Sequence, residues 1–197
     1  MMDSIVREAL ARHREDPPPG LTMTVPIHHL MDRDFCGVVT SDLSKFCATW
    51  EKRLATPDLW KQLPAVSGVY MFVFASTLVF RTDAGSLCPS WVLYIGRAGS
   101  ADSNRTIRGR YQGEYSKHIG KSPEALWSAG APATRDDRMA QYLTIYPLQY
   151  WFTTMSDRSQ IPTIEDRLIK LLAPMMNGRQ LPHFRPQTPQ AAFRSVP

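Results

Sequence analysis

Glu165 lies near the start of the segment Thr163-Ile164-Glu165-Asp166-Arg167-Leu168-Ile169-Lys170-Leu171-Leu172, which is closed by Pro174 and Asn177. Its carboxylate is a hard oxygen ligand suited to Mg²⁺ or Mn²⁺. Magnesium keeps most of its waters and needs few protein ligands, so a single glutamate is enough. Upstream, Arg110 offers a planar guanidinium fork that can brace a phosphate through two parallel hydrogen bonds, and Arg97 adds a second cation. Tyr70 and Tyr94 carry phenols, which can take a proton from water only if cationic neighbours or a metal lower a pKa of about 10. Hydrolysis of a phosphodiester needs an activated water, charge stabilisation on a pentacovalent phosphorus and help for the departing oxygen. These residues offer a group for each task.

Charge is distributed in keeping with that chemistry. The chain of 197 residues carries a formal net charge of +5, which by itself favours an anionic partner only weakly. Its placement says more. Arg97, Arg105, Arg108, Arg110, Lys117, His118 and Lys121 are opposed between positions 97 and 121 only by Asp102 and Glu114, so a phosphate-binding surface is expected there, with Arg105, Arg108, Lys117 and His118 as substrate contacts. Hydrophobic residues at 43% and charged ones at 21% are ordinary for a globular domain with a core of its own. No apolar run approaches the roughly 18 to 20 residues that span a bilayer, and residues 1–8 lack a signal-peptide core, so no membrane association and a cytoplasmic location are expected. Cys36, Cys47 and Cys88 are odd in number and lack C-x-x-C spacing. They read as core thiols rather than as a disulfide framework or zinc site.

The elements that must position these groups can be read from pattern. Residues 3–15 suggest a short polar helix ended by Asp16-Pro17-Pro18-Pro19-Gly20. Leu43, Phe46, Trp50 and Leu54 recur at helical spacing behind the N-cap chemistry of Ser41, which predicts a helix to about Ala55. A second short helix is expected from Pro57 to Leu63. β-branched and aromatic runs predict strands at Val69–Phe74, Thr77–Phe80 and Trp91–Ile95, with Gly96 ending the last and a turn at Asp83-Ala84-Gly85-Ser86. Arg105–Lys117 reads as helix despite Gly109 and Gly113, and Ser122–Arg138 as polar loop with at most one helical turn. A further strand is expected near Gln149–Thr153. Pro162 opens the strongest helix, with Ile164, Leu168, Leu171 and Leu172 as its apolar stripe. The resulting class is α+β, with a small, mainly antiparallel sheet of about three strands plus an inserted hairpin. Residues 1–66 form an N-terminal arm, 67–178 the catalytic domain and 179–197 an extended, proline-containing tail.

Gly68-Val69-Tyr70 and Tyr94-Ile95-Gly96, followed by Arg110, Glu165 and the Pro174 to Asn177 spacing, resemble the signature of the GIY-YIG nucleases. Valine replaces isoleucine in the first motif, and Arg97 stands where the family usually has lysine. The resemblance implies that Arg110 is the family's helix arginine, with Arg108 as fallback, that Glu165 is its metal-binding glutamate, and that Asn177 supports the site. Three departures have addresses, one being that the stretch from Tyr94 to Arg110 is longer than is usual in the family. Tyr94 follows Tyr70 by 24 residues where the family has about ten, which implies an inserted loop or hairpin. The family's histidine or tyrosine one turn after the arginine is replaced by Glu114, with Tyr111, Tyr115 and His118 nearby.

The implied activity is a divalent-metal-dependent DNA endonuclease leaving 5′-phosphate and 3′-hydroxyl ends, in restriction or defence against foreign DNA. A homodimer would allow one site per chain to cut both strands. The competing expectations are a nucleic-acid-binding module without catalysis and a nuclease toxin or effector. Retention of Tyr70, Tyr94, Arg110 and Glu165 argues against the binding module, because binding alone needs only the charges. His28-His29 has no third ligand at metal spacing, and Trp127 and Trp151 read as core.

Overall fold

A computed structural model describes residues 49–77, 79–83, 85–121 and 134–177, together with residues 4–8 and the isolated positions 11, 34, 37, 41 and 44. His28, His29, Cys36, Cys47, Trp127 and the tail after Gly178 lie outside these residues. The fold is α+β, as the pattern indicates. Four antiparallel strands form a sheet in the order β1 (Glu51–Leu54), β6 (Leu148–Thr154), β2 (Gly68–Ala75), β5 (Ser90–Ala98). The insertion between the two tyrosines is a separate hairpin, β3 (Phe80–Thr82) and β4 (Gly85–Leu87), with Phe80 opposite Leu87.

Alternation along the strands explains both tyrosine motifs. Val69, Met71 and Val73 of β2 and Ile95 of β5 face one side of the sheet, where they pack on Ile161, Ile164, Leu168 and Ile169 of helix α3 (Ile161–Leu172). Tyr70, Phe72, Leu93 and Tyr94 face the other side, with Tyr111, Tyr115, Tyr150 and Phe152. The aliphatic centre of each motif therefore anchors the α3 side, and the tyrosine reaches the opposite face. The register between β2 and β5 pairs Phe72 with Tyr94 and then Val73 with Val92, skipping Leu93. This bulge lets two consecutive residues, Leu93 and Tyr94, enter the same core cluster.

The motif glycines are fixed by close approach. A Cβ on Gly96 would lie 2.6 Å from the Tyr70 hydroxyl, its cross-strand partner, and one on Gly68 would lie 2.0 Å from the Thr153 carbonyl oxygen. Neither position has room for a side chain.

Several expected boundaries move. The helix to Ala55 is overturned at its end: Glu51–Leu54 is extended and pairs with β6, and Ala55 N–H continues the ladder to the Leu148 carbonyl. Backbone pairing to the free edge of β6 overrides the helical spacing of Trp50 and Leu54, and Leu54 is exposed. Pro57–Leu63 contains only a 3₁₀ turn at Leu59–Lys61. The strand expected at Thr77–Phe80 is displaced to Phe80–Thr82, and β5 continues through Gly96 to Ala98. Residues 135–142 form a two-turn helix, α2 (Arg135–Tyr142), with a capping box between Thr134 and Asp137, where loop with at most one turn was expected. In α3 the buried stripe is Ile161, Ile164, Leu168 and Ile169, whereas Leu171 is only partly buried and Leu172 is exposed. Cys88 is exposed rather than a core thiol. Among the described residues no helix is long and apolar enough to cross a membrane.

Candidate active site

The candidate residues gather around β5, beyond which no strand lies among the described residues. An edge strand leaves outward backbone groups to be satisfied by something other than a ladder. Here two of the expected site residues supply the partners. Ile95 N–H donates to Asn177 Oδ1 at 2.9 Å, and Asn177 Nδ2 donates to the Ile95 carbonyl at 2.7 Å. Two residues along, Arg110 Nε donates to the Arg97 carbonyl at 3.2 Å. Asn177 thus acts as a positioning residue: its amide is spent on the strand between Tyr94 and Gly96. It arrives there because α3 stops at Ala173, whose left-handed backbone (φ 43°) reverses the chain into a 3₁₀ turn at Met175–Asn177.

On the α3 side of β5, Arg97 Nη1 pairs with Glu165 Oε2 at 3.1 Å, and the glutamate side chain is only 18% exposed. On the opposite side Tyr70 is fully buried, and its hydroxyl lies 2.6 Å from the hydroxyl of Tyr115. Tyr115 also hydrogen-bonds Tyr94, which is 6% exposed, so it links the two motif tyrosines. The tyrosines and Glu165 therefore belong to opposite faces, and Arg110, hydrogen-bonded to the backbone of Arg97, joins them across the strand edge.

Tyr115 was not separated from its neighbours by sequence, and local geometry shows why. Helix α1 (Ile107–Arg110), N-capped by Thr106, makes one α turn and then widens into a π turn over Tyr111–Tyr115, closed by Ser116 N–H to the Tyr111 carbonyl. A π turn inserts one residue into the helical register. The fifth residue after Arg110 consequently turns into the tyrosine cluster, while the fourth, Glu114, faces outward. The arrangement of Tyr111 is structural: its hydroxyl donates to the Thr56 carbonyl at 2.7 Å.

Electrostatics set Tyr70 apart from the simple expectation. Burial pushes the Tyr70 phenol well above its ordinary pKa, with Tyr94 and Tyr150 adding to the shift. The Tyr115 hydrogen bond and the Arg110 charge act in the opposite direction but are outweighed. Arg97, expected to help deprotonate a tyrosine, is engaged with Glu165. The Tyr115 phenol is also raised, chiefly by burial and then by its tyrosine neighbours.

The remaining basic candidates divide. Arg108 Nε donates to the Leu63 carbonyl at 2.7 Å and ties α1 to the preceding turn, which leaves Arg110 as the arginine at the site. Arg105 reaches Glu114 at 2.6 Å, and Arg110 Nη1 donates to the same carboxylate oxygen. Lys117 and His118 line a cavity of about 250 Å³ together with Arg110, Glu114, Tyr115 and Asp136. Burial, with Lys117 and Lys121, lowers the His118 pKa.

Among the described residues no group of three or more His, Cys, Asp or Glu side chains could enclose a metal. A hydrated divalent cation held by one carboxylate does not require such a group, and Glu165 combines partial burial with solvent access, so it fits that mode of binding. To bind, the cation would share or replace the Arg97 contact. Comparison with protein-family models, curated proteins and solved structures finds no match to this chain.

Proposed function

We propose that this protein is a divalent-metal-dependent DNA endonuclease of the GIY-YIG type, hydrolysing phosphodiester bonds at the edge of β5 to leave 5′-phosphate and 3′-hydroxyl ends. One observation carries the reading. The arginine and glutamate picked out by the sequence motif meet at Arg97: Arg110 through its backbone carbonyl, Glu165 through its side chain. They are separated by 55 positions in the chain.

The roles follow from accessibility and charge. Arg110 has its Nε fixed on backbone and a guanidinium that borders two cavities, where, once Glu114 is displaced from Nη1, it can hold a non-bridging phosphate oxygen. Tyr94 is the better base of the two motif tyrosines, because Tyr70 has no exposed surface and a raised pKa. Tyr70 and Tyr115 orient the Tyr94 phenol. A divalent cation bound to Glu165 would supply charge neutralisation for the phosphate and for the departing 3′ oxygen. Arg97 holds Glu165 in place beforehand, and Asn177 fixes the strand that carries both Tyr94 and Arg97.

Restriction or another defence against foreign DNA is the setting this reading favours, with a homodimer serving double-strand cleavage. The test is incubation of purified protein with supercoiled plasmid. Nicked circles in Mg²⁺ or Mn²⁺, none with a chelator, and nicks sealable by DNA ligase are expected. Plasmid left intact across both metals would refute the proposal.

A further inference from the structure

The outer end of Arg110 is already occupied by an anion from the chain itself. Its Nη1 donates to Glu114 Oε1, and Arg105 Nη1 donates to the same oxygen at 2.6 Å. The guanidinium donors that hold this carboxylate oxygen suit a phosphate oxygen equally well. Glu114 is not needed to aim Arg110, whose Nε is anchored independently on the Arg97 carbonyl. Arg105 is 61% exposed and free to follow a ligand outward.

Space lies on both sides of the carboxylate. The cavity of about 250 Å³ with Lys117 and His118 flanks it on one side, and another of about 370 Å³, lined by Arg105, Thr106 and Gly109, flanks it on the other. Arg110, Gly113 and Glu114 line both. Glu114 lines both cavities and is one-third exposed, so its side chain has open space into which to rotate away. The π turn is what puts a carboxylate here, because it directs Tyr115 inward and leaves Glu114 at the mouth of the arginine pair.

We propose that Arg105 and Arg110 form a binding site for a phosphate group, with Glu114 as a built-in competitor that the incoming phosphate must displace. This rests on the nuclease reading only for the identity of the natural ligand, a phosphate of the DNA backbone. The competitor weakens capture of any single phosphate and favours ligands that offer several at once, since these can be held by Lys117 and His118 while Glu114 is being displaced.

Calorimetric titration with inorganic pyrophosphate at low ionic strength tests the site directly. Removing a carboxylate from two partly exposed guanidinium groups is worth about one order of magnitude in an equilibrium constant. Glu114→Gln, which keeps the side chain's shape, should therefore bind pyrophosphate about tenfold more tightly than the unmodified protein, and Glu114→Ala should do the same. Adding Arg105→Ala to Glu114→Gln should abolish the gain. Unchanged or weaker binding by both Glu114 variants overturns the proposal and makes Glu114 a support for the arginines. Plasmid nicking by the same preparations keeps the two readings apart. Tighter pyrophosphate binding without any nicking leaves the anion site standing and removes the nuclease, and nicking without tighter binding does the reverse.

Discussion

Tyr70 closes the first motif and Tyr94 opens the second, and under the proposed reaction their different surroundings suit them to different work. Tyr70 is enclosed by Tyr115, Tyr150 and Phe72, and its hydroxyl is satisfied by Tyr115. Tyr70→Phe should remove that hydrogen bond at a cost of about 1 kcal/mol in stability, with less than about a tenfold effect on cleavage. Tyr94→Phe should instead lower the cleavage rate by about 10²-fold or more with little change in unfolding free energy, as loss of a general base does. Single-turnover cleavage and denaturant unfolding of both variants decide the assignment, and a larger rate loss in Tyr70→Phe would reverse it. Tyr70, Tyr94, Arg110 and Glu165 came forward as candidates from the sequence because the order of their motifs resembles a known signature, although the Tyr70 to Tyr94 spacing departs from it. The sequence named Tyr115 only beside Tyr111 and His118 and could not choose among them. Whether the fourth or fifth residue after Arg110 turns inward depends on one inserted residue in the helical register, and Tyr111-Gln112-Gly113-Glu114-Tyr115 carries no compositional mark of that choice. The weak helix propensity of Gly109 and Gly113 was the nearest available signal.

Strand β5 is the element on which the site depends. Its free edge is satisfied by Asn177 and Arg110, its two faces present Tyr94 and Arg97 in opposite directions, and Gly96 leaves room for the Tyr70 ring. Gly96→Ala would force that buried ring off its position, because the added Cβ meets the phenol at 2.6 Å and not a flexible chain end. Overpacking of this kind costs about 1–3 kcal/mol, and the displaced Tyr70 should also disturb Tyr115 and so slow cleavage. A Gly96→Ala protein with native stability and an unshifted tyrosine environment, read by near-ultraviolet circular dichroism, would contradict the packing account. Strands β2, β5 and β6 were legible from their β-branched and aromatic composition. Strand β1 was not, since Glu-Lys-Arg-Leu is an exposed segment whose conformation is set by backbone hydrogen bonds to β6 and not by any apolar alternation. Helix α2 was legible in principle: Thr134-x-x-Asp137 is a capping box in the sequence, masked by its polar surroundings.

At the scale of the whole molecule, an aromatic core rich in buried phenols fills one side of the sheet. Tyr70, Tyr111, Tyr115 and Tyr150 all have pKa values raised above the ordinary 10.0, in each case by burial first. A phenol that keeps its proton in the fold after the unfolded chain has lost it stabilises the fold fully below the unfolded pKa, and that stability is lost as pH rises toward the folded value. Unfolding free energy should therefore be level up to about pH 10 and then fall by about 1.4 kcal/mol per pH unit for each such tyrosine. Denaturant titrations at about pH 9 and about pH 11 test this, and equal stability at the two would mean that these tyrosines ionise in the folded protein. Net charge and its concentration between Arg97 and Lys121 were visible in the sequence, but the Glu114 contact that offsets part of it required three-dimensional proximity. The proposed reaction also depends on the whole architecture, because its glutamate and its tyrosines stand on opposite faces of one sheet. The most direct measurement is cleavage of duplex DNA by Glu165→Gln in Mg²⁺, with DNA binding measured on the same preparation. The proposal expects binding to stay within about threefold of the unmodified protein, since an arginine partner is lost but no phosphate contact, while cleavage falls by about 10³-fold, the several kcal/mol that a bound divalent cation contributes. Cleavage at the unmodified rate would contradict it.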